Sequence, residues 1–527
     1  MPDWLLGLVF IFPALAASLL RVLAPRLTPQ RRGGFILALV SIEIALIILN
    51  RVMGAREIIL FDWQAAAFSF AFEMDGVAFL LLLALFVPLL ILTPLNSSVS
   101  LDSFPFFVLS AATLLTTAAS PFAIYSAWVA LDLAMAAWRI ARQIEDATAL
   151  RSFATSQIAA LIYFAGAVLV SAQFRAEGTV LIALGLWGRL GLFPFQWVTL
   201  YRGESSRDLW IARGAPLVAA SSLWMHWRPN DFIHQTLIAP LAIFALIAIV
   251  IWLRNAEEPS RAVSVIIAFP FVMLPLIAWT GDAAPAFSVW LVLGNIFALI
   301  LFEMALKWRA ENKIRWARIL WSAGIFCFAG APFTPAFISR VGLYISLWEN
   351  NQMLLLAWIG IASVPIFSAL WNFERGIQGT QRRAPSASEY LLLAFSAILF
   401  VGLIVFLLYI TAALGESSAA AAEIALDRVV RSNDIAGVIA GFALLFAPLG
   451  VGFFLARSTF ALPARIDQFL RVAVRAFDLD WLMRPALGGG YRIAAWVRNV
   501  GAAVENNPAL WVLLAALWVA IFILFPR

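Results

Sequence analysis

The feature that most constrains this chain is the recurrence of apolar runs long enough to cross a bilayer. Runs of roughly 17 to 25 residues, bounded by charges or turn residues, start near Trp4, Gly33, Met74, Ser103, Phe122, Ala154, Gly178, Leu209, Gln235, Ala262, Ala286, Trp316, Met353, Tyr390, Ile435 and Pro508. About sixteen spans follow. In hydrocarbon each unpaired backbone group costs several kcal/mol, so the spans are helices, and the weak alternation of apolar and polar residues excludes a barrel. Composition agrees: 63% of the 527 residues are hydrophobic and 13% charged, where a soluble domain carries about 25% charge.

Several function classes fall away. The excess of 36 Lys+Arg over 30 Asp+Glu reads as an orientation signal in a membrane chain, so nucleic acid is no partner. The single cysteine, Cys327, excludes an internal disulfide and any cysteine-based metal or iron–sulfur site, and no cofactor is expected. No nucleophile constellation, metal cluster or phosphate loop is present, so the expectation is a chain without a catalytic centre of its own. The N-terminal run from Leu5 to Leu20 lacks a basic leader and a small-residue cleavage site and reads as a retained first span.

By position, about 26 of the 36 basic residues fall in odd-numbered loops, which places those loops in the cytoplasm and both termini outside. Residues 457–507, between the last two spans, are amphipathic rather than transmembrane. Ile466, Phe469, Leu470, Ala473 and Phe477 recur at helical spacing against Arg465, Asp467, Arg471 and Arg475; after Gly488, Gly489 and Gly490 the pattern resumes with Tyr491, Ile493, Trp496 and Val497. Such a segment lies along the membrane surface or along a neighbouring subunit.

Two spans are broken, and each break carries an arginine. Trp187-Gly188-Arg189-Leu190-Gly191-Leu192-Phe193-Pro194-Phe195-Gln196-Trp197 has its arginine before the proline, and Gly330-Ala331-Pro332-Phe333-Thr334-Pro335-Ala336-Phe337-Ile338-Ser339-Arg340 has it after. Gly191, Pro194, Gly330, Pro332 and Pro335 interrupt the helical hydrogen bonds. Paired interrupted segments in two halves point to an ion site between inverted repeats. A charge inside a span costs about 2.5 to 3.5 kcal/mol on insertion scales, so each is a candidate pathway residue. The candidates are Arg189, Arg340, Asp132, Glu43 and Glu303. Arginine does not hand on a proton; it biases the groups that do. Against these readings stand structural ones: each arginine satisfying carbonyls freed at its break, Glu303 bridging Lys307 at a helix end, and Asp75 capping a helix.

These residues resemble the antiporter-like membrane subunits of respiratory complex I, related hydrogenases and Mrp-type Na+/H+ antiporters. The second break is similar to the family's Gly-Leu-Pro-Pro-Leu-Ala-Gly-Phe-x-x-Lys in its twelfth helix, with Arg340 on the lysine. The first is similar to Lys-x-x-x-x-Pro-Leu-His-x-Trp-Leu-Pro in the seventh, with Arg189 on the lysine and Gln196 on the histidine. Asp75-Gly76 falls where the family often opens its third helix, and Phe477-Asp478-Leu479-Asp480-Trp481 resembles C-terminal segments of the group. In layout the chain is closest to the largest such subunit of complex I, with a shortened lateral helix. There are departures: Trp128 is followed by Val129 where the family has Trp-Glu, with Asp132 one turn further on, and Ala298 stands near a family lysine.

The resemblance implies an all-α polytopic protein with helices 1–3 in residues 1–100, two inverted five-helix repeats in 101–227 and 228–373, helices 14 and 15 in 374–456, the lateral segment in 457–507 and a last span in 508–527. It implies a subunit of a multi-subunit respiratory or antiporter complex, in a prokaryotic cytoplasmic membrane. The ion is the proton or Na+, and its movement is coupled to chemistry in other subunits; neighbouring membrane subunits and lipids are the partners. Two alternatives stay open: a degenerate scaffold that conducts nothing, and the membrane subunit of an inorganic-carbon uptake system.

Overall fold

The structure, a computed structural model, describes residues 4–23, 26–54, 57–61, 69–95, 103–141, 146–195, 210–227, 231–254, 259–332, 334–377, 435–458 and 472–473. The chain divides into two compact units, Met1–Leu462 and Pro463–Arg527, and all the described residues but 472–473 lie in the first. The spans expected from Tyr390 and Pro508, nearly all of the lateral segment 457–507, Gln196, Trp197 and Phe333 lie outside the described residues.

In chain order the elements are α1 (Trp4–Leu23), α2 (Pro29–Met53), β1 (Glu57–Phe61), β2 (Phe70–Glu73), α3 (Gly76–Leu95), α4 (Ser103–Thr117), α5 (Pro121–Ala141), α6 (Asp146–Ser171) and α7 (Arg175–Arg189). A π-helical turn (Trp210–Gly214) leads into α8 (Ala215–His226), and α9 (Asp231–Ile233) with a second π-turn (His234–Ile238) leads into α10 (Ala239–Arg254). Then come α11 (Pro259–Ile266), α12 (Ala268–Leu276), a 3-10 turn (Ile277–Ala283), α13 (Ala284–Ala310), α14 (Ile314–Ala329), α15 (Ala336–Glu349), α16 (Met353–Gly376) and α17 (Ile435–Arg457). Among the described residues ten helices are long and apolar enough to cross a membrane. The protein is a nearly all-helical polytopic membrane protein.

Helix ends follow local chemistry. At α2, Thr28 caps the N-terminus by accepting from the Arg31 amide, Pro29 takes the first turn where no amide donor is needed, and Gly54 closes the helix at φ 73°. Helices α6 and α7 approach backbone to backbone through glycines. A Cβ on Gly166 would meet the Gly178 carbonyl oxygen at 2.6 Å, and one on Gly188 would meet the Ala159 Cβ at 2.6 Å. Small residues permit this contact in lipid, where packing replaces the hydrophobic drive. Its consequence is that the end of α7 lies against the middle of α6. Likewise a Cβ on Gly294 of α13 would sit 2.5 Å from the Ala336 Cβ, which seats the start of α15.

One feature has no counterpart in the hydropathy reading: β1 and β2 form an antiparallel pair, with Ile58 opposite Phe72 and Ile59 opposite Ala71. Its residues are β-branched and aromatic and too few to span a bilayer. The pair is tied to the start of α5, where the Ala119 amide donates to the Ala71 carbonyl at 3.0 Å and the Ala71 amide to the Ser120 hydroxyl at 3.2 Å. Phe72 packs on Phe10 of α1 at 5.1 Å and on Phe70 at 5.0 Å.

Candidate functional site

The first break begins where α7 ends, at Arg189, and turns at Gly191, whose φ of 63° is left-handed and favours glycine. Two indoles take carbonyls there. Trp187 Nε1 donates to the Phe193 carbonyl at 2.9 Å, and Trp224 Nε1 of α8 donates to the Leu186 carbonyl at 3.1 Å. The carbonyl-satisfying role expected of Arg189 is therefore filled by tryptophan, whose N–H is a donor only and reaches the carbonyl from a well-packed ring.

Arg189 turns instead to α5 and α6. Its Nη1 donates to Asp132 Oδ1 at 2.6 Å and to Ser156 Oγ at 2.9 Å. Ser156 Oγ also accepts from Trp128 Nε1 at 2.9 Å, and the guanidinium lies over the Trp128 ring, 5.2 Å from its centroid. The other carboxylate oxygen, Asp132 Oδ2, accepts from Gln157 Nε2 at 2.8 Å. The two charged side chains are 2% and 7% exposed. Two opposite charges taken out of water are tolerable when they compensate each other; both Asp132 oxygens are hydrogen-bonded here, while Arg189 Nε, like that of Arg340, has no partner among the described residues. Val129 leaves that helix turn without an acid, and Asp132, one turn on, supplies it.

The second break is built differently. α14 closes in a Schellman motif: the Gly330 amide donates to the Cys327 carbonyl at 3.1 Å and the Ala331 amide to the Phe326 carbonyl at 3.0 Å, with Gly330 at φ 71°. The Thr334 amide and hydroxyl both donate to the Ala331 carbonyl, at 3.0 and 2.6 Å, and Pro335 precedes α15. Arg340, 1% exposed, lies with its guanidinium 5.5 Å from the Phe269 ring and 5.4 Å from the Phe328 ring. Tyr344, buried one turn along α15, is its polar neighbour. Among the described residues no carboxylate pairs with it, and its Nε and Nη2 carry no hydrogen bond.

Of the other candidates, Glu303 is buried in α13 and accepts from the Trp210 amide at 3.2 Å, at the π-turn that carries buried Arg213. Lys307 lies 3.9 Å from Glu311. Glu43 sits on the buried stripe of α2 with Ile36, Leu39, Val40 and Ile47, 1% exposed, and neither carboxyl oxygen has a hydrogen-bond partner among the described residues. Asp75 caps α3 through the Ala78 amide at 2.7 Å. Ala298 is fully buried in α13. Sequence reasoning missed Ser156, Gln157 and Tyr344, because neutral polar residues inside apolar helices look alike whether they serve a charge or face their own backbone.

No family model matches this sequence, and neither does any curated protein. Solved structures do. A chain of the Mrp complex from Dietzia sp. DQ12-45-1b gives a TM-score of 0.66 at 17% identity, covering 98% of this chain and 63% of that one. A chain of the membrane-bound sulfane sulfur reductase, an archaeal respiratory membrane complex, gives 0.60 at 15% identity, with 83% and 99% covered. A chain of respiratory complex I from Thermus thermophilus gives 0.62 at 13% identity, with 80% and 99% covered. The chain has the fold of the antiporter-like membrane subunits of such complexes.

Proposed function

From that fold we propose that the chain is an antiporter-like membrane subunit of a multi-subunit complex, and that it contributes to moving protons across the membrane, driven by chemistry in other subunits. The observation that carries the reading is the buried Asp132–Arg189 pair at the first break. A proton reaching Asp132 cancels the negative charge and leaves Arg189 held by Ser156 and the Trp128 face alone. The unbalanced positive charge then repels further cations until Asp132 releases its proton, so occupancy of one group controls the field felt by the next. In this reading Glu43, Glu303 and Arg340 are further pathway groups, the two breaks belong to inverted repeats, and both termini face outside.

A second reading, the non-conducting scaffold, is favoured by the second centre, where among the described residues Arg340 lies against rings rather than acids. One experiment separates the two. The complex carrying Asp132→Asn is reconstituted into vesicles and proton flux is followed with a pH-sensitive dye. The conducting reading expects flux to fall by roughly a hundredfold, the scale on which removing a proton-transfer group acts, with the complex still assembled. Undiminished flux would leave the scaffold.

A further inference from the structure

Asp75 and His226 lie outside both arginine centres, each at the end of a helix. Asp75 precedes α3 and His226 ends α8; their side chains are 34% and 49% exposed, with His226 Nε2 3.1 Å from Asp75 Oδ2. The other ring nitrogen, Nδ1, lies 2.8 Å from the Ser222 carbonyl oxygen. A backbone carbonyl and an ionised carboxylate accept and never donate, whereas a neutral imidazole has a single N–H. Both bonds together therefore require the imidazolium. Each charge also stands at the helix end that favours it, the carboxylate at the N-terminus of α3 and the imidazolium at the C-terminus of α8.

The surroundings act the same way. Glu73 of β2 adds a second negative charge felt by His226, and the Ser222 hydroxyl is 3.5 Å from Nδ1. From α2, Arg51 reaches over Phe79 in the first turn of α3, 6.0 Å from its centroid. Burial alone would lower the proton affinity of His226, but the hydrogen bond and charge of Asp75 and the Ser222 carbonyl outweigh it and hold the imidazole above its usual range. Burial likewise opposes ionisation of Asp75. Its bonds to His226 and to the amides of Ala78 and Val77 prevail and hold the carboxyl below its usual range.

We propose that Asp75 and His226 form a proton-binding latch at one membrane face, which closes α8 onto α3 while His226 is charged and releases it when the proton leaves. α8 is the helix whose Trp224 bonds the Leu186 carbonyl ahead of Arg189 and whose Ser222 donates to the Thr116 carbonyl of α4 at 2.7 Å. The latch thus acts on the support of the first break. With the imidazole raised, its stabilisation is complete below the ordinary imidazole range and is lost as pH climbs through the raised value. With the carboxyl lowered, its share is present above the ordinary carboxylate range and is lost as pH falls through the lowered value. The latch is closed between these limits and opens on the alkaline side.

The chain has two histidines, and His234 is 2% exposed, so acylation by diethyl pyrocarbonate, which attacks neutral imidazole, reports on His226 against an internal reference. In the intact complex the His226 adduct is quantified by mass spectrometry across pH, for the native chain and for Asp75→Asn, which retains a cap oxygen for α3. The expected result is protection of native His226 through the ordinary imidazole range and several-fold faster acylation of Asp75→Asn there. Coincident profiles would overturn the proposal. A second readout is amide hydrogen exchange over residues 223–227, corrected for its intrinsic pH dependence. It is expected to accelerate on the alkaline side in the native chain and to be flat in His226→Gln; a His226→Gln profile that tracks the native one would exclude the latch. Neither readout depends on whether the subunit conducts.

Discussion

The two breaks solve one problem in two ways. Both turn at a glycine in the left-handed region, Gly191 and Gly330, and both bury an arginine. At the first, the charge is met by a carboxylate 57 residues earlier in the chain; at the second, by a phenol one turn away and two aromatic faces. The first centre thus sets its charge against an opposite one. Rings and a phenol surround the second charge, and among the described residues no acid stands beside it.

The comparison is tested hardest by removing the counter-group of each arginine. Asp132→Leu strands a buried charge and is expected to cost about 3–5 kcal/mol, whereas Tyr344→Phe removes a single neutral buried hydroxyl beside Arg340 and is expected to cost about 1–3 kcal/mol. Thermal unfolding in detergent reads both, and equal losses would erase the distinction. Adding Arg189→Met to Asp132→Leu is expected to recover most of the loss, so the coupling in the double-mutant cycle is expected to exceed about 3 kcal/mol. Additive losses would mean that the pair contributes nothing as a pair.

Smaller effects sharpen the geometry. Gly188→Ala drives a Cβ to within 2.6 Å of Ala159 and should cost about 1–3 kcal/mol by forcing α6 from α7, with proton flux falling in parallel if the Arg189–Ser156 register matters. Gly330→Ala forces an alanine into a left-handed turn, 2.9 Å from the Arg340 Cδ, for about 1–2 kcal/mol. Phe328→Leu removes one π-face from Arg340 and should cost about 0.5–2 kcal/mol beyond its lost packing. A double-mutant cycle with Arg340→Met would isolate that term, and a coupling near zero would show that the ring serves as filler.

Much of this was legible in the chain. Apolar runs marked the described helices because burial in lipid is an additive, local property of each segment, and Gly and Pro marked both breaks because φ limits and a missing amide act within a turn. Buried charges announced themselves by their cost. Neighbouring groups did not. Nothing near Arg189 in sequence distinguishes it from Arg340, and nothing near Glu303 announced the Trp210 amide from which it accepts. The β1–β2 pair was equally unreadable, since its strands are shorter than any span and are held by contacts with α1 and α5.

By itself, then, the sequence determined that this protein is a membrane-spanning helical bundle with two interrupted helices and a handful of charges inside it. Only the tertiary structure decided that Asp132 meets Arg189, that Trp187 and Trp224 take the carbonyls, and that Phe269 and Phe328 receive Arg340. The physical reason is range. Hydropathy and backbone conformation depend on neighbours within a few residues, whereas the pairing of a buried charge depends on helix register and close approach, here set by Gly166 and Gly188 between α6 and α7 and by Gly294 between α13 and α15.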